Sequence, residues 1–383
     1  MDKIKRRKIG ILFYYGKNWM GGVIYIVNLV KSIDKLPVSE KPEIILFYND
    51  NSKPFINEVI YPYLTTVYNN QKNEYVNYIL SVIKGKNCFE EGLIDTYKLD
   101  GLFPLNDFPF NLGKKNMRAA AWYPDLQHKF YPQNFTKSKI FFREWRIKQI
   151  IKNASHIVLS SNDVYNQFQK FYKLKTNTNF HILRFTSIID GISFPPIEEL
   201  QLKYNIKGEY FIVSNQFWKH KNHETVFKAL KLLKHDNVNC KVVFTGNMED
   251  KKNPEFIEGL KKLIIDYEIH DSIEFVGLIG RAEQLCLMKN SLAVIQPSLF
   301  EGWSTVIEDA KALKCQIIAS NINVHKEQLD EGKIGFLFES VNEQNLANLM
   351  KSFLKHKIEL KPTVDNYNEL TIDFAKKFMK IFS

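Results

Sequence analysis

Cysteine is scarce. The chain has four in 383 residues, Cys88, Cys240, Cys286 and Cys315, scattered with no close pair, so neither a zinc cluster nor a disulfide framework is indicated. A reducing compartment fits that pattern, and the expected location is the cytoplasm. Long apolar runs are missing too: none approaches the ~20 residues that cross a bilayer, and no signal-peptide pattern opens the chain. A soluble or peripheral protein is expected. No G-x-G-x-x-G occurs, which argues against a nicotinamide enzyme. No D-x-D pair occurs that would hold a divalent ion against phosphates. Internal repeats, low-complexity tracts and nucleic-acid-binding motifs are likewise absent, and basic residues are spread along the chain, which argues against a nucleic-acid partner.

What is present is a globular composition, 45% hydrophobic and 25% charged, on a chain too long for one ordinary core. Two domains are expected. The formal net charge of +11 attracts anionic partners. Lys3, Lys5, Arg6, Arg7 and Lys8 cluster at the amino terminus, near Tyr14, Tyr15 and Trp19. Two readings stay open there: a solvated end before a buried strand, or a polybasic segment drawn to an anionic membrane surface.

Short apolar runs alternate with helical stretches throughout. "KIGILFYY", "EIILFY", "DGLFPL", "AAAWYP", "HIVLSS" and "HILRF" read as strands in the first half, and "YFIVSNQ", "KVVFTG", "SIEFVG", "LAVIQPS", "CQIIAS" and "IGFLFE" in the second. Helices are expected to begin near His223, Pro254, Ala282 and Thr305. From Thr186 to Gly208 the pattern lapses around a Pro pair, and this stretch reads as the linker. Alternating strands and helices imply parallel sheets covered on both faces, hence two doubly wound α/β domains, 1–190 and 209–365. The closing segment 366–383 is an amphipathic helix. Ligands of such sheets bind beyond the carboxyl ends of the strands, and two domains facing across a cleft put the deepest pocket between them.

Four loops after strands are chemically loaded. In "YYGKNWMGGVIYIVNL", Gly21 and Gly22 open a helix, whose start offers N–H groups to an anion and whose lack of side chains lets a ligand approach. In "WYPDLQHKFYP", Asp125, Gln127 and His128 sit among Trp122, Tyr123, Phe130 and Tyr131, a mix that suits a sugar; an ordinary loop with His128 at a strand end is the alternative. In "SNQFWKHKNHETVFKAL", Lys219, His220, Lys221 and His223 lie between strand and helix, where a lysine can reach a diphosphate and where a solvated basic turn is the bland reading.

The fourth loop is "PSLFEGWSTVIEDAKAL". Thr305 and Glu308, three residues apart, read as a capping box, giving Glu308 a structural use. Glu301 stands before the turn with no helical role. Asp309 stands one residue past the box.

The third and fourth loops resemble those of the retaining glycosyltransferases of family 4, the two-domain GT-B enzymes of the E-x7-E type. "EGWSTVIEDA" matches their E-G-(F/W)-x-x-x-x-x-E-A at Glu301, Gly302, Trp303 and Ala310, with Asp309 in place of the second glutamate. Their R-x4-K pair falls on Gln216 and Lys221, so the lysine is kept and the arginine is not. The motifs are specific in the second half and looser in the first.

The resemblance implies a nucleotide-sugar as co-substrate, no metal and no other cofactor. It assigns Glu301 to the donor sugar with Gly302 and Trp303 beside it, Ser304 and Thr305 to the diphosphate, and Asp309 to the ribose. Lys221 meets charge on the leaving diphosphate, with Lys219 or Arg281 as substitutes for the arginine that Gln216 replaces. The Gly21–Gly22 loop lies beside the donor phosphate, and Asp125 and His128 beside the reacting sugar. The first domain is then the acceptor side, and the last helix returns to pack on it. The expected acceptor is a glycan or lipid-linked glycan in surface polysaccharide assembly, met by a protein peripheral to the inner face of the plasma membrane. A catalytically inactive sugar-nucleotide-binding relative and a GT-B sugar-nucleotide epimerase are the rivals.

Overall fold

The computed structural model describes residues 5–16, 19–69, 80–81, 83–85, 87–105, 118–249 and 253–383. Lys3 lies outside the described residues. The chain divides into two compact units, one made of 1–188 with 368–383, the other of 189–367.

Unit 1 is built on a parallel sheet of strands β1 (Lys8–Phe13), β2 (Glu43–Tyr48), β3 (Leu64–Tyr68), β4 (Gly101–Leu105), β5 (Arg118–Tyr123), β6 (His156–Leu159) and β7 (Asn179–Ile182), in the order β3-β2-β1-β4-β5-β6-β7. β3, "LTTVY", escapes a sequence reading because it is an edge strand with little burial to impose an apolar pattern. The helix Tyr367–Ile381 closes this unit: Phe374 packs on Tyr25 and Phe378 on Phe103. Arg7 donates to the carbonyl of Phe382 at 2.6 Å, and Arg6 donates to the carbonyls of Val38 and Lys41 while lying over the ring of Tyr63. Two of the amino-terminal cations are thus committed to tying down the fold.

Unit 2 carries β8 (Phe211–Ser214), β9 (Val242–Thr245), β10 (Ile273–Gly277), β11 (Val294–Gln296), β12 (Ile317–Ser320) and β13 (Phe336–Phe338), parallel and in the order β10-β9-β8-β11-β12-β13. Successive side chains of a strand face opposite sides. Phe211, Val213, Val242, Phe244 and Ile295 therefore pack with the helices His223–His235 and Glu343–Leu354, whereas Ile212, Val243, Val294 and Ile317 pack with Arg281–Lys289 and Thr305–Ala312. Strands apolar on both faces are what a sheet covered twice requires. Helices begin at His223, Pro254, Arg281 and Thr305, as the sequence pattern indicates. The stretch 186–208, read as a linker, is ordered instead. It holds the helix Ile197–Lys203, whose Leu200 joins the second core with Ile206, and from residue 189 it belongs to unit 2.

Two glycines of unit 2 make opposite tests. Gly246 has φ +105°, and a Cβ there would lie 2.3 Å from the Asn215 carbonyl oxygen. Gly259, inside the helix Pro254–Asp266, has open space around it. Gly246→Ala is expected to lower stability by about 1–3 kcal/mol, and Gly259→Ala to raise it by roughly 0.5–1 kcal/mol. Thermal unfolding of the two variants checks both signs; a stable Gly246→Ala would contradict the close approach of these two strand ends.

Candidate functional site

The strand order of unit 2 reverses between β8 and β11, and in open α/β sheets it is beyond the carboxyl ends of the strands at such a point that ligands bind. Side chains stitch this end together. Asn215 donates to Gln296 at 2.7 Å, Gln296 donates onward to Glu301 at 3.0 Å, and Lys221 pairs with the same Glu301 oxygen at 2.5 Å. The Leu299 amide reaches the His220 carbonyl at 2.7 Å, and Asn222 donates to the carbonyls of Pro297 and Ser340. Asn222 has φ 55°, a left-handed conformation that asparagine tolerates better than most residues, and it turns the chain from the Lys219–Lys221 turn into the helix at His223.

The Lys221–Glu301 pair is mostly shielded, with side-chain exposures of 14% and 12%. Burial acts to raise the Glu301 carboxyl, but the charge and hydrogen bond of Lys221 outweigh it and the group sits below its usual range. His220 and His325 are pushed down to about 4 and His223 to about 3, by burial first. At neutral pH the three imidazoles nearby are uncharged, so the ion pair is not diluted by further cations from them.

The helix Thr305–Ala312 begins four residues after Glu301, in the loop that follows β11. Its cap is Ser304, whose hydroxyl accepts from the Ile307 amide; its own amide is taken by Gln328. The Glu308 amide bonds the Ser304 carbonyl, which leaves the amides of Thr305 and Val306 at the open end. Thr305 is therefore the first helical residue and not the cap. The capping box expected for Thr305 and Glu308 does not form. Glu308 turns inward, where it pairs with Lys311 at 3.0 Å and accepts from Gln328 and Tyr367. Its use is structural, by partners that sequence spacing does not reveal. Gly302, Trp303 and Ser304 are buried.

Asp309 is paired within the protein. It is 1% exposed, and its two oxygens receive the two terminal nitrogens of Arg281. Gln216, at the position where the resemblance expects arginine, accepts from the Asn247 amide at 2.9 Å. Lys219 is exposed.

Unit 1 treats its candidates differently. Gly22 has a packing reason: an added Cβ would lie 2.7 Å from the Trp19 ring and 2.9 Å from that of Tyr15. Gly21 has more room. Trp19 stacks on Trp122, which in turn stacks on Tyr25 at 4.1 Å, so Trp122 is core and Trp19 is the face that meets solvent. Asp125 accepts from the Gln127 amide and holds the turn into the short helix Gln127–Phe130. His128 is buried, with Nε2 2.7 Å from Glu144, which also binds Lys129 and Tyr172. Burial pushes His128 down, against the opposing pull of Glu144. Gln284, Gln296 and Gln328 complete the hydrogen bonding of unit 2's site, and nothing in their local sequence marks them.

Residues 197–370 match the family profile "Glycosyl transferases group 1". The chain is 23% identical over 210 residues to the O-antigen chain mannosyltransferase RfbU of Salmonella typhimurium, covering 55% of this chain and 54% of that protein. It is 22% identical over 270 residues to the alpha-1,3/1,6-mannosyltransferase ALG2 of Mus musculus, covering 67% of this chain and 63% of that one. The matches thus span about half to somewhat under two thirds of these relatives. Among solved structures, Alr3699/HepE of Anabaena, crystallised with UDP and glucose, superimposes with a TM-score of 0.67 at 13% identity, over 98% of this chain and 95% of that one.

Glu308→Gln is expected to lower stability by about 3 kcal/mol, because it leaves Lys311 buried without its counter-charge. Melting temperatures of Glu308→Gln and of Glu308→Gln with Lys311→Met check this. The single variant is expected to melt well below wild type and the double variant to recover much of the loss. An unchanged single variant would contradict the pairing.

Proposed function

Because residues 197–370 match the glycosyl transferases group 1, on a chain whose two parallel α/β units have the GT-B fold, we propose that it is a retaining, metal-independent glycosyltransferase. It moves a sugar from a nucleotide-sugar to a glycan or lipid-linked glycan. The observation that carries this reading is the Lys221–Glu301 pair at the point where the sheet order reverses, beside the open amide end of a helix.

In this reading the diphosphate lies across Lys221 and the amides of Thr305 and Val306, whose fixed dipoles meet the charge that grows as the nucleotide leaves. Glu301 turns to the hydroxyls of the transferred sugar. Two carboxylates flanking a scissile bond, which a retaining glycosidase needs, are not what this loop supplies, since Asp309 is committed to Arg281. Retention then follows from attack on the face that the leaving group vacates. With a lysine and helix amides as the counter-charge, and no D-x-D in the sequence, no divalent ion is required. The names of both curated relatives support a hexose donor, and the HepE complex makes UDP a first nucleotide to test beside GDP. A lipid-surface acceptor is supported by the helix Lys137–Asn153, which exposes Phe141 and Phe142 beside Lys137 and Lys139, a pairing of aromatic and basic groups suited to an anionic interface. Among the described residues no helix is long and apolar enough to cross a membrane.

Incubation with radiolabelled UDP- and GDP-hexoses and a lipid-linked glycan acceptor, with and without chelator, tests the reading. Transfer with retained anomeric configuration, undiminished by chelator, is expected. Lys221→Ala is expected to lower kcat by about two orders of magnitude or more while weakening donor binding less. An inactive relative would bind without turnover, an epimerase would convert donor without acceptor, and loss of transfer in chelator restored by magnesium would overturn the metal-free account.

A further inference from the structure

We propose that Arg281, held in place by Asp309, is the second cation of the nucleotide diphosphate site. This rests on the nucleotide-sugar reading above and assigns a residue that the E-G-W motif does not contain.

The geometry starts from Asp309. A carboxylate that is 1% exposed cannot meet a ligand from where it stands, and both of its oxygens are occupied by one guanidinium. The arginine is different: its side chain is 29% exposed. The pair therefore joins a buried carboxylate to a cation whose side chain is partly exposed. Arg281 is fixed on a second side by Gln284, whose oxygen faces Nη1 at 3.4 Å and whose nitrogen donates to Ser214 at 2.6 Å. Ser214 ends β8, and the next residue, Asn215, begins the hydrogen-bond path through Gln296 to Glu301 and Lys221. Arg281 is thus tied to the last residue of β8, and the next residue along the chain is tied to Glu301 and Lys221.

A planar guanidinium held bidentately is pre-organised and loses little freedom on meeting a second anion. Lys219, the other nearby cation, is exposed on a flexible stem and would have to be ordered. Gln216 brings no charge. Asp309 is accordingly a positioning residue and Arg281 the one that touches the ligand.

Calorimetric titration of UDP and GDP into wild type, Arg281→Gln, Arg281→Lys, Asp309→Asn and the double variant Arg281→Gln with Asp309→Asn tests this. At least one nucleotide is expected to bind wild type. Arg281→Gln is expected to weaken it on the order of ten- to a hundredfold, Arg281→Lys by less, and Asp309→Asn by loosening the arginine. The double variant is expected to bind no more weakly than Arg281→Gln, because Asp309 acts only through Arg281. The double variant also guards against misfolding, since it removes the buried charge that Arg281→Gln alone would strand. If the double variant retains wild-type affinity within about twofold, the proposal is overturned while the nucleotide-sugar reading stands. If the two single effects add in the double variant, Asp309 meets the nucleotide directly and the positioning role is wrong. If no nucleoside diphosphate binds wild type, the nucleotide-sugar reading itself fails and takes this proposal with it.

Discussion

The site of unit 2 depends on one ion pair that is mostly withdrawn from water. Lys221 and Glu301 come from loops that follow different strands, and each is mostly buried where they meet. Removing either partner would strand the other's charge in a poorly solvated place, a large penalty compared with the small value of an exposed pair. The surrounding bonds, from Asn215 through Gln296 to Glu301 and from Leu299 to His220, keep both loops where that pair can form. A ligand anion that draws Lys221 away leaves Glu301 in need of new donors. In the proposed reaction sugar hydroxyls would be donors of the right kind, and leaving-group binding and sugar orientation would be two halves of one exchange.

The three carboxylates of the same loop divide by depth and partner. Glu301 has the ammonium of Lys221, Glu308 faces inward to Lys311, Gln328 and Tyr367, and Asp309 anchors a guanidinium. Nine positions, 301 to 309, thus place one carboxylate on Lys221, one in the core and one on a guanidinium. The helix starting at Thr305 separates them, because residues three to four apart share a face and adjacent residues do not.

Much of this was legible in the sequence, because a sheet covered on both faces writes continuous apolar runs and its helices begin at recognisable breaks. Strands β8 to β13, the helix starts at His223, Pro254 and Thr305, and the prominence of Lys221 and Glu301 all follow from such local signals. What escaped was long-range. The edge strand β3 lacks a burial pattern, Ser304 rather than Thr305 caps the helix, and Glu308 finds partners 20 and 59 residues away. The Trp19 ring over Gly22 and the Glu144 partner of His128 are contacts that local sequence does not signal. Asp309 meets Arg281 across 28 residues, a contact that spacing does not encode.

If the proposed function holds, Glu301 and a nucleotide diphosphate compete for Lys221. The most direct measurement is the calorimetric affinity of UDP or GDP for Glu301→Gln against wild type, at fixed salt. Freed from its carboxylate, Lys221 is predicted to bind the diphosphate more tightly, by roughly tenfold for a charge-assisted hydrogen bond no longer shared. Equal or weaker binding in Glu301→Gln would contradict the competition and remove Lys221 from the diphosphate.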